Sequence, residues 1–322
     1  MTSLDERALA HCVRTASLAP SLHNSQPWRF RLVDGAVEVY ADRRRQLEVL
    51  DPDGRELLIS VGAAVFTLRL AIRVEGHVTE VSIFPDAGSP DLVARIRPAY
   101  ARPSSAYATA LAEAITARHT NRSPFADAVV PADSLAQLRA AATAEGATLT
   151  LADAVRRDVI INLAQAAEAR LRAEGGYRAE LGYWTRPHPH RRDGIPPTAV
   201  GPWDALEHLP MRDFGLVHHQ PSRNAERFEA HPTITVLATN GDGPVDWVRA
   251  GQALQRVLLT ATRLRLATTP ISQPIEIPAI RDLLTDTGNG RSAQMVIRLG
   301  YAPSGPPTPR RPLTDILDTR TP

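Results

Sequence analysis

Residues 19–30 read Ala19-Pro20-Ser21-Leu22-His23-Asn24-Ser25-Gln26-Pro27-Trp28-Arg29-Phe30. Pro20 stops a preceding pattern in which Leu4, Ala8, Cys12, Thr15 and Leu18 recur at helical spacing, with Thr2 or Ser3 as candidate caps. A polar turn follows, and residues 26–33 read as a loop running into a strand. The turn offers a hydroxyl, an imidazole, two side-chain amides and its own backbone groups within a few residues. That inventory suits a planar ligand with donors and acceptors alternating along its edge, such as a flavin. Spacing alone also allows a Ser/Asn-rich turn with Trp28 in the core.

Outward from this turn, Asp34-Gly35 marks a hairpin into an alternating strand at 36–41. The turn Asp51-Pro52-Asp53-Gly54 opens a long apolar helix, residues 56 to about 73, and Gly76 separates it from a strand at 78–84. Residues 85–103 are rich in Pro, Gly and Ser and read as a linker. Helices are expected at 105–118, 132–145, 154–174, 246–266 and 278–284, and strands at 147–151, 233–238 and 293–299, with a loop at 268–274. In the helix 154–174, Val155, Val159, Leu163, Ala166, Ala167 and Leu171 fall in register. Residues 184–231 carry many Pro, His and Arg with little periodicity; a stretch this long within a domain reads as a lid or binding segment, or as disorder. The pattern is α+β.

A second polar cluster, Arg118-His119-Thr120-Asn121-Arg122-Ser123, follows a helix and gathers three cationic or potentially cationic groups with two hydroxyls. Such donors converging on one turn can satisfy a phosphate, although a solvated loop has the same composition. A third segment, Thr268-Thr269-Pro270-Ile271-Ser272-Gln273-Pro274, follows an apolar helix, and Arg310-Arg311 sits in a Pro-rich tail.

The first segment resembles the flavin-binding stretch of the nitroreductase family, A-P-S-x-x-N-x-Q-P-W, at every fixed position. The second resembles that family's R-[RH]-[ST]-x-[RK] phosphate motif. The resemblance implies a nitroreductase-like α+β fold binding FMN, with Pro20, Ser21, Leu22 and Asn24 on the ring side of the site and Trp28 in the core. It implies Arg118, His119, Thr120 and Arg122 at the phosphate, closed by Arg310 and Arg311. It also implies a backbone N–H near Ser272 and Gln273 at the reacting nitrogen of the ring, with no catalytic side chain required.

In ordinary members the phosphate motif precedes A-P-S within one subunit, and two subunits build two sites. Here A-P-S comes first and each motif occurs once. The chain therefore resembles a fused, dormancy-associated branch. The resemblance implies a first half over residues 1–100 and a second over 101–322 that form a pseudo-dimer around one site, with 184–231 as a lid insertion. The implied activity is NAD(P)H-dependent two-electron reduction of a small-molecule acceptor, nitroaromatic or quinone-like. The alternative is a flavin-sequestering protein whose lid limits turnover.

Composition narrows the rest. The chain has 322 residues, 43% hydrophobic and 22% charged, as in a folded protein of one large domain or two smaller ones. Its 37 basic residues, all arginine, nearly balance 35 acidic ones, leaving net +2 and no field for a polyanion, so nucleic acid is not an expected partner. Cys12 is the single cysteine and allows no internal disulfide. No apolar run is read as long enough to span a membrane, no leader-like segment is read at the start, and the expected location is cytoplasmic. His188, His190, His218 and His219 lack the spacing of a metal site. Gly288-Asn289-Gly290 precedes a strand rather than following one, which argues against a dinucleotide fold.

Overall fold

The computed structural model describes residues 4–218, 223–285 and 290–318. His219, Gly288, Asn289 and the candidate caps Thr2 and Ser3 lie outside the described residues. Helix α1 (Glu6–Ala16) is capped by Asp5, whose carboxylate accepts the Ala8 N–H at 2.7 Å. The chain then forms β1 (Trp28–Val33), β2 (Ala36–Ala41), α2 (Arg55–Val74), β3 (His77–Ile83) and β4 (Leu92–Ala101). Next come α3 (Ala106–Ala117), α4 (Ala132–Thr143), β5 (Thr148–Leu151), α5 (Ala154–Ala173) and α6 (Tyr177–Thr185). Within the Pro/His/Arg-rich stretch lie the short β6 (Trp203–Asp204) and β7 (Ala225–Glu226). The chain continues with β8 (Thr233–Thr239), α7 (Pro244–Arg263), β9 (Ala267–Ile271), α8 (Gln273–Glu276), α9 (Pro278–Leu284) and β10 (Ser292–Gly300). It closes with α10 (Leu313–Ile316) and β11 (Leu317–Asp318).

Two sheets result. The first runs β11-β1-β2-β4-β3, and the second β5-β8-β10-β9. Asp34 and Gly35 both take positive φ, 47° and 70°, which matches the right-handed twist of the β1–β2 hairpin. β11 pairs parallel to β1, Phe30 opposite Leu317, so the C-terminal tail returns to the first sheet. The boundary expected near residue 100 falls at the end of β4, but the tail packs with the first half.

Between the sheets α2 packs on α7. Gly62 and Gly251 meet at the crossing, where a Cβ on Gly251 would stand 2.9 Å from the Gly62 Cα. By length and composition α2 could cross a membrane, contrary to the sequence reading; 83% of its apolar window is buried inside the protein, as for a core helix. Cys12 is fully buried beside α2, and burial, reinforced by Glu75, pushes its thiol up to about 12, which fits a packing role.

Three expectations are corrected. The linker at 85–103 contains β4, which pairs with β2 and β3. Pro98 is accommodated because the pairing with β2 reaches only Ile96, so one side of β4 is free there. The loop at 268–274 is β9 and α8, with Pro270 on an edge strand opposite Ile297. In α5 the buried face is Ile160, Ala164, Ala167 and Leu171, while Val155 and Val159 are exposed. The stretch from 184, read as a lid or binding segment or as disorder, packs on the rest of the chain where described. Trp184, Ile195, Ala199, Val200 and Phe214 join Tyr177 and Leu181 of α6 in a core that also takes in Leu47 and Leu50 of the first half.

Candidate active site

The turn after α1 is backbone-strained: His23, Asn24 and Gln26 have φ of 47°, 55° and 50°. Local bonds hold it. Ser21 Oγ accepts the Gln26 N–H at 2.9 Å, and the Leu22 N–H donates to Ser60 Oγ of α2 at 3.1 Å. Asn24 is a clamp. Its amide donates to the carbonyls of Gly194 and Pro309, both at 3.0 Å, and its oxygen accepts from Arg310 at 2.9 Å. Insertion, first motif and C-terminal tail are thereby tied together.

The cluster after α3 lies beside β9: Thr120 bridges Thr268, and the Asn121 N–H donates to the Thr268 carbonyl at 3.0 Å. Two cavities open between these segments. The larger is lined by Pro20, Ser21, Leu22 and His23 of the turn, Glu56, Ile59, Ser60 and Ala63 of α2, Thr120 and Arg122, and Ser272 and Gln273. The insertion roofs it with Pro210, Met211, Arg212 and Phe214. Gln273 donates to the Pro210 carbonyl at 2.9 Å, and Arg212 forms a buried ion pair with Glu276 of α8, so the roof is fastened at two points. The smaller cavity shares Pro20, Ser21, Thr120 and Arg122 with the larger one and adds Asn24, Arg118, His119, Thr308 and Arg310.

Eleven of the twelve sequence-derived site residues therefore line one cavity or the other. Arg311 lines neither. It donates through its backbone N–H to Gln26 Oε1 at 2.8 Å and through its guanidinium to the Asp315 carbonyl at 2.7 Å, so it tethers the tail. Its guanidinium also donates to the Gln26 carbonyl at 3.2 Å, so it holds the tail against the first motif while Arg310 lines the cavity.

The electrostatics of the smaller cavity are unbalanced. Arg118 is buried, and its Nε has no hydrogen-bond partner among the described residues. Burial, then the proximity of Arg310, lowers the Arg118 guanidinium to about 9. Burial lowers Arg310 to about 10, and burial with Arg212 lowers Arg122 to about 10. Among the described residues no acidic side chain pairs with any of the three. His119 is also shifted down, by burial and then by Arg118 and Arg310. Three guanidinium groups converge where an anion would relieve all of them.

The chain is 35% identical over 320 residues to a Mycobacterium tuberculosis protein provisionally named NAD(P)H nitroreductase Rv3131, covering 96% of this chain and 92% of that one. This chain belongs to the nitroreductase family. A second relative from that organism, provisionally named NAD(P)H nitroreductase acg, is 32% identical over 329 residues, covering 99% of this nitroreductase and 98% of the relative. No family model matches the chain. The solved FMN-dependent nitroreductase NfnB of Mycobacterium smegmatis, in complex with NADPH, gives a TM-score of 0.39 at 16% identity, covering 67% of this chain and all of that one. At that score it adds nothing to the family assignment.

The nitroreductase motifs disclosed neither which residues of the lid form the roof nor the α2 wall. Glu56, Ile59, Ser60 and Ala63 recur at the spacing of one helical face, and two polar groups on that face were the available signal. Nothing in the aperiodic insertion marked Arg212 or Phe214. His23, the imidazole of the first segment, is buried in the cavity wall, with neither ring nitrogen hydrogen-bonded among the described residues. Burial, then Arg212 and Arg122, holds its pKa well below the usual range, so the ring is neutral.

Proposed function

We propose that this nitroreductase binds one FMN per chain and uses NAD(P)H for two-electron reduction of a nitroaromatic or quinone-class acceptor. The observation that carries the reading is the smaller cavity, where Arg118, Arg122 and Arg310 lack a carboxylate counter-charge among the described residues and adjoin a larger cavity of mixed polar and apolar lining. The donors present fit a phosphate group. Arg118, His119, Thr120, Arg122 and Arg310 would hold that phosphate, and Pro20, Ser21, Leu22, Ser272 and Gln273 would face the ring. Bound FMN would supply the redox chemistry; the protein orients the ring and keeps water out.

The two halves act as fused subunits in this reading. α2 and α7 supply facing walls, Ile59 and Ala63 on one and Leu254 and Leu258 on the other, so one chain completes the site. The sequestering alternative is favoured by one specific observation, the fastening of the roof through Gln273–Pro210 and Arg212–Glu276. Flavin released from purified protein is expected to be FMN at one per chain, and NADPH mixed with holoprotein in a stopped-flow instrument is expected to bleach it. A stable yellow colour with NADPH favours sequestration. Two flavins per chain, or FAD, defeats the single-site reading. FMN that leaves on dilution in step with a dimer-to-monomer transition defeats the fused one.

A further inference from the structure

Glu56 stands at the start of α2 and faces the larger cavity alongside Ile59, Ser60 and Ala63. It is 3% exposed. Its Oε1 accepts from Arg55 Nη1 at 2.7 Å, and among the described residues its Oε2 has no hydrogen-bond partner.

The charges around it do not balance. Asp51, in the turn ahead of α2, accepts the backbone N–H groups of Glu56 and Leu57 at 2.9 and 2.8 Å. Glu276 approaches from α8, paired with Arg212 of the insertion. Asp242 pairs with Arg281 at 3.2 Å and with Arg55 at 3.5 Å. Four carboxylates, Asp51, Glu56, Asp242 and Glu276, thus share three guanidinium groups, Arg55, Arg212 and Arg281, which leaves one carboxylate in excess. Excess charge shut away from water is relieved by taking up a proton. Burial pushes Glu56 to about 8, with Arg55 opposing and Asp51 and Glu276 reinforcing. Asp51, favoured as the anion by its two backbone donors, rises only to about 6. His23 faces the same cavity but is held neutral by burial, Arg212 and Arg122 and has no surplus proton to give.

We propose that Glu56 is the proton donor of the larger cavity, entering the reaction as a carboxylic acid and giving its proton to the acceptor being reduced. This rests on the oxidoreductase reading above. Reduction of a quinone-class acceptor by a reduced nicotinamide consumes one hydride equivalent and one proton. The O–H bond of Glu56 breaks and an O–H bond forms on an acceptor oxygen. The bonding pair stays on the carboxylate, which takes a proton back from solvent; the nicotinamide is oxidised and the acceptor reduced.

Glu56→Gln keeps the size of the side chain and an oxygen for Arg55. Infrared spectra of the purified protein are expected to show a protonated-carboxyl band that is lost with a midpoint near pH 8 and is absent from the variant. Holoprotein reduced with dithionite and mixed with benzoquinone in a single turnover should reoxidise roughly 10²–10⁴-fold more slowly in the variant. The wild-type rate should fall as Glu56 ionises, and the variant's should not follow that titration. Glu56→Asp, with the acid withdrawn by one methylene, should slow the same step yet keep a titrating band, which separates proton donation from a defect in folding. A Glu56 ionised at pH 7, or equal reoxidation rates and pH profiles, overturns the proposal. Chemical reduction bypasses NADPH and the infrared titration needs no flavin, so failure to bleach or to bind FMN counts against the oxidoreductase reading separately.

Discussion

Gly62 and Gly251 face each other where α2 crosses α7. A Cβ on Gly62 would stand 3.1 Å from the Gly251 Cα, and a Cβ on Gly251 would collide with the carbonyl oxygen of Ile59. These two 20-residue helices therefore approach backbone to backbone, which sets the width of the cavity lined by Ile59 and Ala63 on one and Leu254 and Leu258 on the other.

Gly251→Ala is accordingly expected to destabilise the protein by about 1–3 kcal/mol through overpacking. Because both helices wall the cavity, it should also weaken FMN retention. Urea unfolding and flavin release measure the two effects; an unchanged unfolding midpoint would show that the crossing relaxes freely.

The buried acids make stability fall as pH rises. Glu56 is raised from an ordinary value of 4.5 to about 8, and Asp51 from 3.8 to about 6. The native state thus binds more protons than the unfolded chain between about pH 4 and 8, and stability declines with rising pH across that window. Their contribution is fully present below the unfolded values and lost as pH passes the folded ones. Glu56→Gln should flatten the decline between pH 6 and 8, read from urea unfolding at several pH values. An identical slope in the variant would place the surplus proton elsewhere.

Phe214 meets His23 edge-on at 5.1 Å, and the Arg122 guanidinium lies 4.7 Å from its ring centre. Removing both contacts with Phe214→Ala should cost on the order of 1.4 kcal/mol, about tenfold, in holding the roof closed. Faster flavin release and faster bleaching by NADPH are expected. Release without faster bleaching would mean that the roof does not gate the nicotinamide.

Local chemistry was legible where it was punctuated. Asp34-Gly35 announced its hairpin, and the helix stop at Pro20 announced the turn that ends in buried Trp28. β4 and β9 were hidden by Pro98 and Pro270, because a proline forbids a ladder bond only on the side its missing N–H would face. The α5 face was misjudged because Val155 and Val159 look like core residues, yet a residue's exposure depends on what packs opposite it. The insertion was legible as a lid segment, but its contact residues were not: Arg212 and Phe214 are positioned by an ion pair to α8 and a ring contact to the first half, both distant in sequence.

The central claim is that Arg118, with Arg122 and Arg310, receives the phosphate of FMN. Titrating apo wild type and Arg118→Ala with FMN and with riboflavin tests it directly. Loss of one charge-assisted contact should weaken FMN by roughly 2–3 kcal/mol, about 30- to 150-fold, while riboflavin, which lacks the phosphate, changes little. Equal weakening of both ligands would make Arg118 a structural residue and contradict the assignment.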